Sequence, residues 1–229
     1  IQQYIYDKGW PSLTRIQNAA IKQVANTDHN LILSAPTASG KTEAAFIPAL
    51  NSVEDWDTGL KVLYISPLKA LINDQFQRIS ELSAYLDIPI TRWHGEVSQT
   101  QKRKVVNQPK GILLITPESI EGMLVNRPGE AEHLFKGVEW IIIDELHSFL
   151  GTERGIHLQS LLQRISQFMQ APRFIAMSAT LNKKDFGYAK AFFGSQRDTD
   201  ILVDRDKNDL LITIDYTSGE AGPFIARES

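Results

Sequence analysis

Apolar and polar positions along this chain switch between two periods. Short runs that are apolar almost throughout, rich in Ile, Leu and Val, recur at 31–34, 61–66, 88–93, 111–116, 139–144 and 173–178 and predict strands. Weaker strand candidates lie at 201–203 and 210–215. Helical spacing fills the stretches between them, at 14–25, 41–50, 68–86, 98–107, 118–126, 155–170 and 182–193. In the 155–170 stretch, Leu158, Leu161, Leu162, Ile165 and Phe168 recur at i, i+3 and i+4, which makes one apolar helix face.

Strands that are apolar on both faces and alternate with helices predict an α/β fold. Its central sheet should be mostly parallel, with helices on both faces. In such sheets ligands bind beyond the carboxyl ends of the strands, so the residues just after each strand are the ones to read for chemistry. The chain carries no internal repeat and no low-complexity tract. Residues 1–203 are expected to form one domain. A charged break at 204–208 opens a final strand and linker over 204–229. The start at Ile1, without a basic-then-apolar leader, and the polar end at 218–229 lead us to expect a piece of a longer protein.

Composition narrows the chemistry. Of 229 residues, 42% are hydrophobic and 22% charged, enough apolar side chain to order a sizeable core and too much for disorder. The longest apolar runs, 111–115 and 140–143, fall far short of the roughly 18 residues of a membrane span, so no membrane partner is expected. No cysteine is present, which excludes disulfides, thiolate metal sites and cysteine nucleophiles and suits a cytoplasmic protein. His29, His94, His133, His147 and His157 share no metal-ligand spacing and read as polar surface or satisfied core residues. With 24 Lys+Arg against 27 Asp+Glu the net charge is −3, so no global basic field points to nucleic acid. Lys102-Arg103-Lys104 reads as a solvated helix face.

The strongest chemical signal follows the first strand. Residues 35–42, Ala-Pro-Thr-Ala-Ser-Gly-Lys-Thr, fit the phosphate-loop pattern GxxxxGK[ST] with Ala35 in place of the first glycine. A tight loop of this kind aims backbone N–H groups at phosphates, and the helix it opens adds partial positive charge. Thr37, Ala38, Ser39 and Gly40 supply that loop, and Gly40 permits close backbone approach. Lys41 reaches the β- and γ-phosphates, and Thr42 offers a hydroxyl to Mg²⁺. ATP with Mg²⁺ is the expected cofactor. The second signal is the apolar strand ending in Asp144-Glu145-Leu146-His147. Adjacent acids at the end of a buried strand are costly unless they meet a cation or a reacting water. Asp144 is placed to hold Mg²⁺ and Glu145 to deprotonate the attacking water. On these residues alone, a P-loop kinase, an ATPase switch and a catalytically silent binding module remain alternatives.

Asp144-Glu145-Leu146-His147 resembles the DExH box of superfamily 2 nucleic-acid helicases, and further family motifs follow in order. Trp10-x-x-x-Thr14-x-x-Gln17 resembles the Q motif, with Leu13 where the family usually has proline. Ser66-Pro67-Leu68-Lys69-Ala70-Leu71 resembles motif Ia, Thr116-Pro117-Glu118-Ser119 motif Ib and Ser178-Ala179-Thr180 motif III. The wording from Tyr64 to Leu71, His94-Gly95-Glu96, and Arg154-Gly155 are most similar to Lhr-like and Ski2-like helicases. The resemblance covers Trp10 to Val203.

It implies a RecA-like P-loop NTPase domain that couples ATP hydrolysis to movement on single-stranded DNA or RNA, 3′ to 5′. Gln17 would read adenine. Pro67, Leu68, Lys69, Thr116, Pro117, Glu118 and Ser119 would contact the strand, and His147, Ser178 and Thr180 would couple the two sites. Nothing after Thr180 resembles the family's second RecA-like domain with its arginine fingers, so that domain is expected as a partner in the full-length chain. Ala38 stands where a glycine is common in the family. Alanine is expected to meet only ordinary backbone angles there.

Overall fold

The aliphatic runs become strands buried along nearly their whole length. β1 (Asn30–Ser34) and β5 (Trp140–Ile143) are buried at every position; β2 (Gly59–Ile65) and β4 (Lys110–Ile115) are buried at all but their first. Burial on both faces is why these strands read as continuous apolar runs and not as alternating ones. The computed structural model describes residues 1–194, 196–206 and 209–213. Two units form, one from Ile1–Pro11, Val53–Asp144 and His157–Pro172, the other from Ser12–Ser52, Glu145–Ile156 and Arg173–Ser229.

In the first unit, β3 (Ile90–Trp93), β4, β2 and β5 lie side by side in that order, all parallel. Leu63 of β2 sits in register between Leu113 of β4 and Ile141 of β5. This unit also holds α1 (Gln2–Asp7), α4 (Lys69–Ala84), α5 (Gln99–Asn107), α6 (Pro117–Asn126) and α7 (Pro128–Phe135). Entry into β4 needs a glycine. Gly111 has φ +76°, and a Cβ there would lie 2.0 Å from the Pro89 carbonyl oxygen that accepts from Ile112 N–H.

In the second unit, β6 (Arg173–Ser178), β1 and β7 (Thr199–Asp206) are parallel in that order, and β8 (Asp209–Thr213) returns antiparallel to β7. α2 (Arg15–Asn26) packs on α3 (Lys41–Ser52), which is buried from Thr42 to Leu50. α9 (Phe186–Ala191) completes this unit, while α8 (Glu153–Ser166) contributes residues to both.

The mostly parallel α/β architecture matches the expectation. Several boundaries differ. α1 and α7 have no counterpart in the predicted elements; Pro128-Gly129 looks like a breaker in sequence, but proline at the first helical position starts α7. The helix expected at 182–193 divides into a 3₁₀ turn, Lys183–Asp185, and α9. β7 runs on to Asp206, so 204–206 of the expected charged break are strand. Residues 207–208 and 214–229, part of the expected final strand and linker, lie outside the described residues. No helix among the described residues is long and apolar enough to cross a membrane.

Candidate active site

The phosphate loop belongs to the second unit, at the carboxyl end of β1. Two backbone and side-chain ties fix its ends. Ala35 N–H donates to the Ser178 carbonyl at 3.2 Å, which joins the loop's first residue to the end of β6. At the other end, Gln17 Nε2 donates to the Gly40 carbonyl at 3.3 Å. Gln17 itself is locked by a capping box: its Oε1 accepts from Thr14 N–H at 2.9 Å, and its N–H donates to Thr14 Oγ1 at 3.4 Å. At 2% exposure Gln17 is a buried brace of the loop.

Within the loop, Lys41 Nζ donates to the carbonyls of Ala35 and Pro36, the latter at 2.6 Å, so the ammonium is folded back over the loop. Pro36, Thr37 and Ala38 are exposed, Ser39 and Gly40 half-buried, and Thr42 8% exposed at the start of α3. The expectation for Ala38 is corrected here. Its φ is +63°, in the left-handed region, where its Cβ crowds the following carbonyl. The family's glycine would sit there without strain; alanine does not.

Glu145 also has a left-handed backbone, φ +49°, unusual for a residue with a side chain. Its Oε2 lies 3.2 Å from His147 Nδ1, and that same nitrogen is 3.4 Å from Ser178 Oγ. Ser178 Oγ donates onward to the Thr180 carbonyl at 2.8 Å. Since its own proton goes to Thr180, Ser178 Oγ accepts from Nδ1–H of the ring, while Glu145 Oε2 stands close to the same nitrogen as an ion-pair neighbour without hydrogen-bond geometry. The second unit therefore brings together Gln17, the phosphate loop, Glu145, His147, Ser178 and Thr180, all named from sequence.

The first unit carries Asp144, 7% exposed. Its backbone N–H donates to Ile65 O at 2.9 Å, and its Oδ2 accepts from the hydroxyl of Tyr64. Tyr64 is fully buried and was not singled out from sequence. The available signal was a lone phenol in an aliphatic strand, since a buried tyrosine hydroxyl needs a partner. The donor chemistry fits Mg²⁺: a threonine hydroxyl and a carboxylate are hard oxygen ligands of the kind that share this ion with phosphates and water. Among the described residues no cluster of three or more His, Asp or Glu could hold a metal alone.

The expected strand contacts behave unequally. Leu68 (55% exposed), Lys69 and Glu118 are exposed, and Ser119 is half-buried. Pro67, Thr116 and Pro117 are buried. Thr116 caps α6, accepting from Ser119 N–H at 3.3 Å, and Pro117 occupies its first turn. Their side chains serve the helix start, which leaves only their backbone for a strand. Lys69 Nζ is paired with Glu96, whose carboxyl it holds below the usual range, and Glu118 adds negative charge. Lys102 departs from the solvated face expected of it. It is 9% exposed, with its ammonium 5.7 Å from the centroid of the buried Trp93 ring. Trp93, Lys102, Ser119 and Arg127 line a recess of about 300 Å³. His94, beside it in sequence, is 5% exposed, and among the described residues neither ring nitrogen has a hydrogen-bond partner, so it is not the satisfied core histidine expected.

A family model for DEAD/DEAH box helicases matches residues 14–186. The Lhr helicase/uracil glycosylase of Escherichia coli (strain K12) is 33% identical over 214 residues, which cover 82% of this chain and 13% of that protein. The ATP-dependent helicase Lhr-Core of Sulfolobus acidocaldarius is 34% identical over 189 residues, 76% of this chain and 21% of its own. Among solved structures, Mycobacterium smegmatis helicase Lhr bound to ssDNA and AMP-PNP superimposes with a TM-score of 0.75 at 29% identity, covering 87% of this chain and 26% of that one. The fold is the RecA-like one of these helicase domains. The chain spans from 13% to 21% of the length of these two curated relatives.

Proposed function

This chain belongs to the DEAD/DEAH box helicase family, and from that premise we propose that it is the ATP-binding domain of an ATP-dependent helicase or translocase. Residues 37–42 bind the phosphates, Gln17 stands by the base, and Thr42 and Asp144 hold Mg²⁺. Glu145 takes the proton of the attacking water. Bound Mg²⁺ supplies charge neutralisation between the phosphates. Single-stranded DNA or RNA runs over the segments around Leu68, Lys69, Glu118 and Ser119, mostly by phosphate contact. A second RecA-like domain of the full-length protein supplies the arginine finger, movement is 3′ to 5′, and the protein is cytoplasmic. Residues 1–203 make up the domain and 204–229 lead towards the next.

One observation carries this reading above the rivals. The hydrolytic carboxylate Glu145 is linked through His147 to Ser178, whose own carbonyl holds the first residue of the phosphate loop. A kinase needs an acceptor site and has no use for such a link between a base and the serine that ends β6. A silent scaffold would not need Lys41, Asp144 and Glu145 together.

Titration calorimetry with Mg·ATP tests the binding half on this chain. Lys41→Ala should lose detectable binding while circular dichroism stays unchanged; equal affinity in a folded variant would overturn the assignment. In the full-length protein, single-stranded DNA or RNA should stimulate phosphate release. Glu145→Gln should cut that rate by roughly 10²-fold or more while nucleotide binding persists. Turnover indifferent to nucleic acid would favour the ATPase-switch reading.

A further inference from the structure

Asp144 is gripped twice by the end of one strand. Its backbone N–H bonds to Ile65 O at 2.9 Å, and its carboxylate accepts from the Tyr64 hydroxyl. Strand parity explains the second contact. Tyr64 is in register with Ile142 on the neighbouring parallel strand. Residues 142 and 144 point to one face, because side chains alternate along a strand, so the phenol and the carboxylate emerge on the same side. The other residues from Leu60 to Ile65 are aliphatic save Lys61, whose ammonium goes to Glu139 at 2.9 Å. The Tyr64 ring is fully buried and cannot swing away from its acceptor.

We propose that Tyr64 is a positioning residue for the nucleotide-bound Mg²⁺, acting through Asp144. This rests on the reading of Asp144 as the Mg²⁺ carboxylate. Tyr64 touches neither nucleotide nor metal. Its hydroxyl fixes the rotamer of Asp144 and commits one carboxylate oxygen. Removing such an outer partner typically weakens metal affinity by 10- to 100-fold, because the ligand must then be ordered by the metal itself.

The test uses Tyr64→Phe, which keeps the ring and deletes only the oxygen. Binding of a fluorescent ATP analogue to the 229-residue chain is followed as Mg²⁺ is titrated, and again in EDTA. The Mg²⁺ concentration for half-maximal enhancement should rise about tenfold, with affinity in EDTA unchanged and the melt still cooperative. In an Asp144→Asn background, Tyr64→Phe should add no further shift. An unchanged Mg²⁺ requirement in the folded single variant overturns the proposal, and so does a full shift that persists in the Asp144→Asn background. Should Tyr64→Phe alone not fold, rescue of folding by Asp144→Asn supports the coupling, and failure to rescue overturns it. The premise is checked separately by Lys41→Ala: if that variant binds the analogue as wild type does, the nucleotide reading itself falls, whatever Tyr64 does.

Discussion

Gln17 donates its side-chain amide to the carbonyl of Gly40, 23 residues further along the chain. The hydrogen bond is long, at 3.3 Å, but the space around it is tight. A Cβ on Gly40 would lie 2.5 Å from Gln17 Nε2, and Gly40 has φ +84°. Gln17 cannot retreat easily, since its Oε1 is held by Thr14 N–H and the side chain is buried.

Gly40→Ala is therefore expected to damage both the loop and the start of α2. Left-handed backbone alone costs alanine roughly 1–2 kcal/mol, and displacing Gln17 adds the loss of its capping bonds. The melting temperature should fall by several degrees, and nucleotide affinity by about tenfold or more, the equivalent of ~1.4 kcal/mol. A double-mutant cycle separates the two causes. Gly40→Ala should cost less in a Gln17→Ala background, because the steric partner is gone. Strict additivity would show that Gln17 does not constrain the loop.

Ala38 gives a prediction of opposite sign. At φ +63° it stores left-handed strain that glycine would not. Glycine also gains freedom in the unfolded chain, which offsets part of the benefit by about 0.4–1 kcal/mol. Ala38→Gly should thus stabilise the chain by up to about 1 kcal/mol, a rise of roughly 2–4 °C at most for a domain of this size. A scanning calorimetry trace with a lower melting temperature would show that the loop relaxes around alanine at no cost.

These two loop residues mark the limit of what the sequence makes legible. The pattern 35–42 after a buried strand locates the phosphate loop, because Gly, Lys and Thr at that spacing have a physical reason to coincide. It cannot tell which residue in the loop turns left-handed; that depends on how Ser178 and Gln17 close the loop from elsewhere in the second unit. The strands were legible for a simple reason. Burial on both faces leaves an aliphatic run such as 111–115. α7 was not, since Pro128-Gly129 serves a helix start and a turn equally well in sequence. The network from Glu145 through His147 to Ser178 joins motifs that could be named separately, but only the fold gives their distances. Tyr64 and Asp144 are 80 residues apart, and their pairing depends on a register that periodicity does not set.

The last prediction concerns acid stability and starts from His94. Its ring is 5% exposed and has no hydrogen-bond partner among the described residues. Burial lowers its pKa below the usual value near 6.5; Arg92, Lys102 and Lys69 push the same way, and Glu96 pushes back. A folded-state pKa below the unfolded one means that the unfolded chain takes up the proton first as pH falls. The stability linked to His94 is then fully present above about pH 6.5 and is lost as pH drops through that value towards the lower folded pKa. His94→Leu replaces the imidazole by an apolar side chain with no proton to bind. Thermal melts at pH 7.5, 6.5 and 5.5 should show a melting temperature that declines less steeply for the variant than for wild type. Because neither ring nitrogen has a bond to lose, the two proteins should lie closest, or the variant higher, at the acid end. Parallel pH profiles would mean that another group carries the acid sensitivity. In that case the burial of His94 has no bearing on how the chain responds to protons.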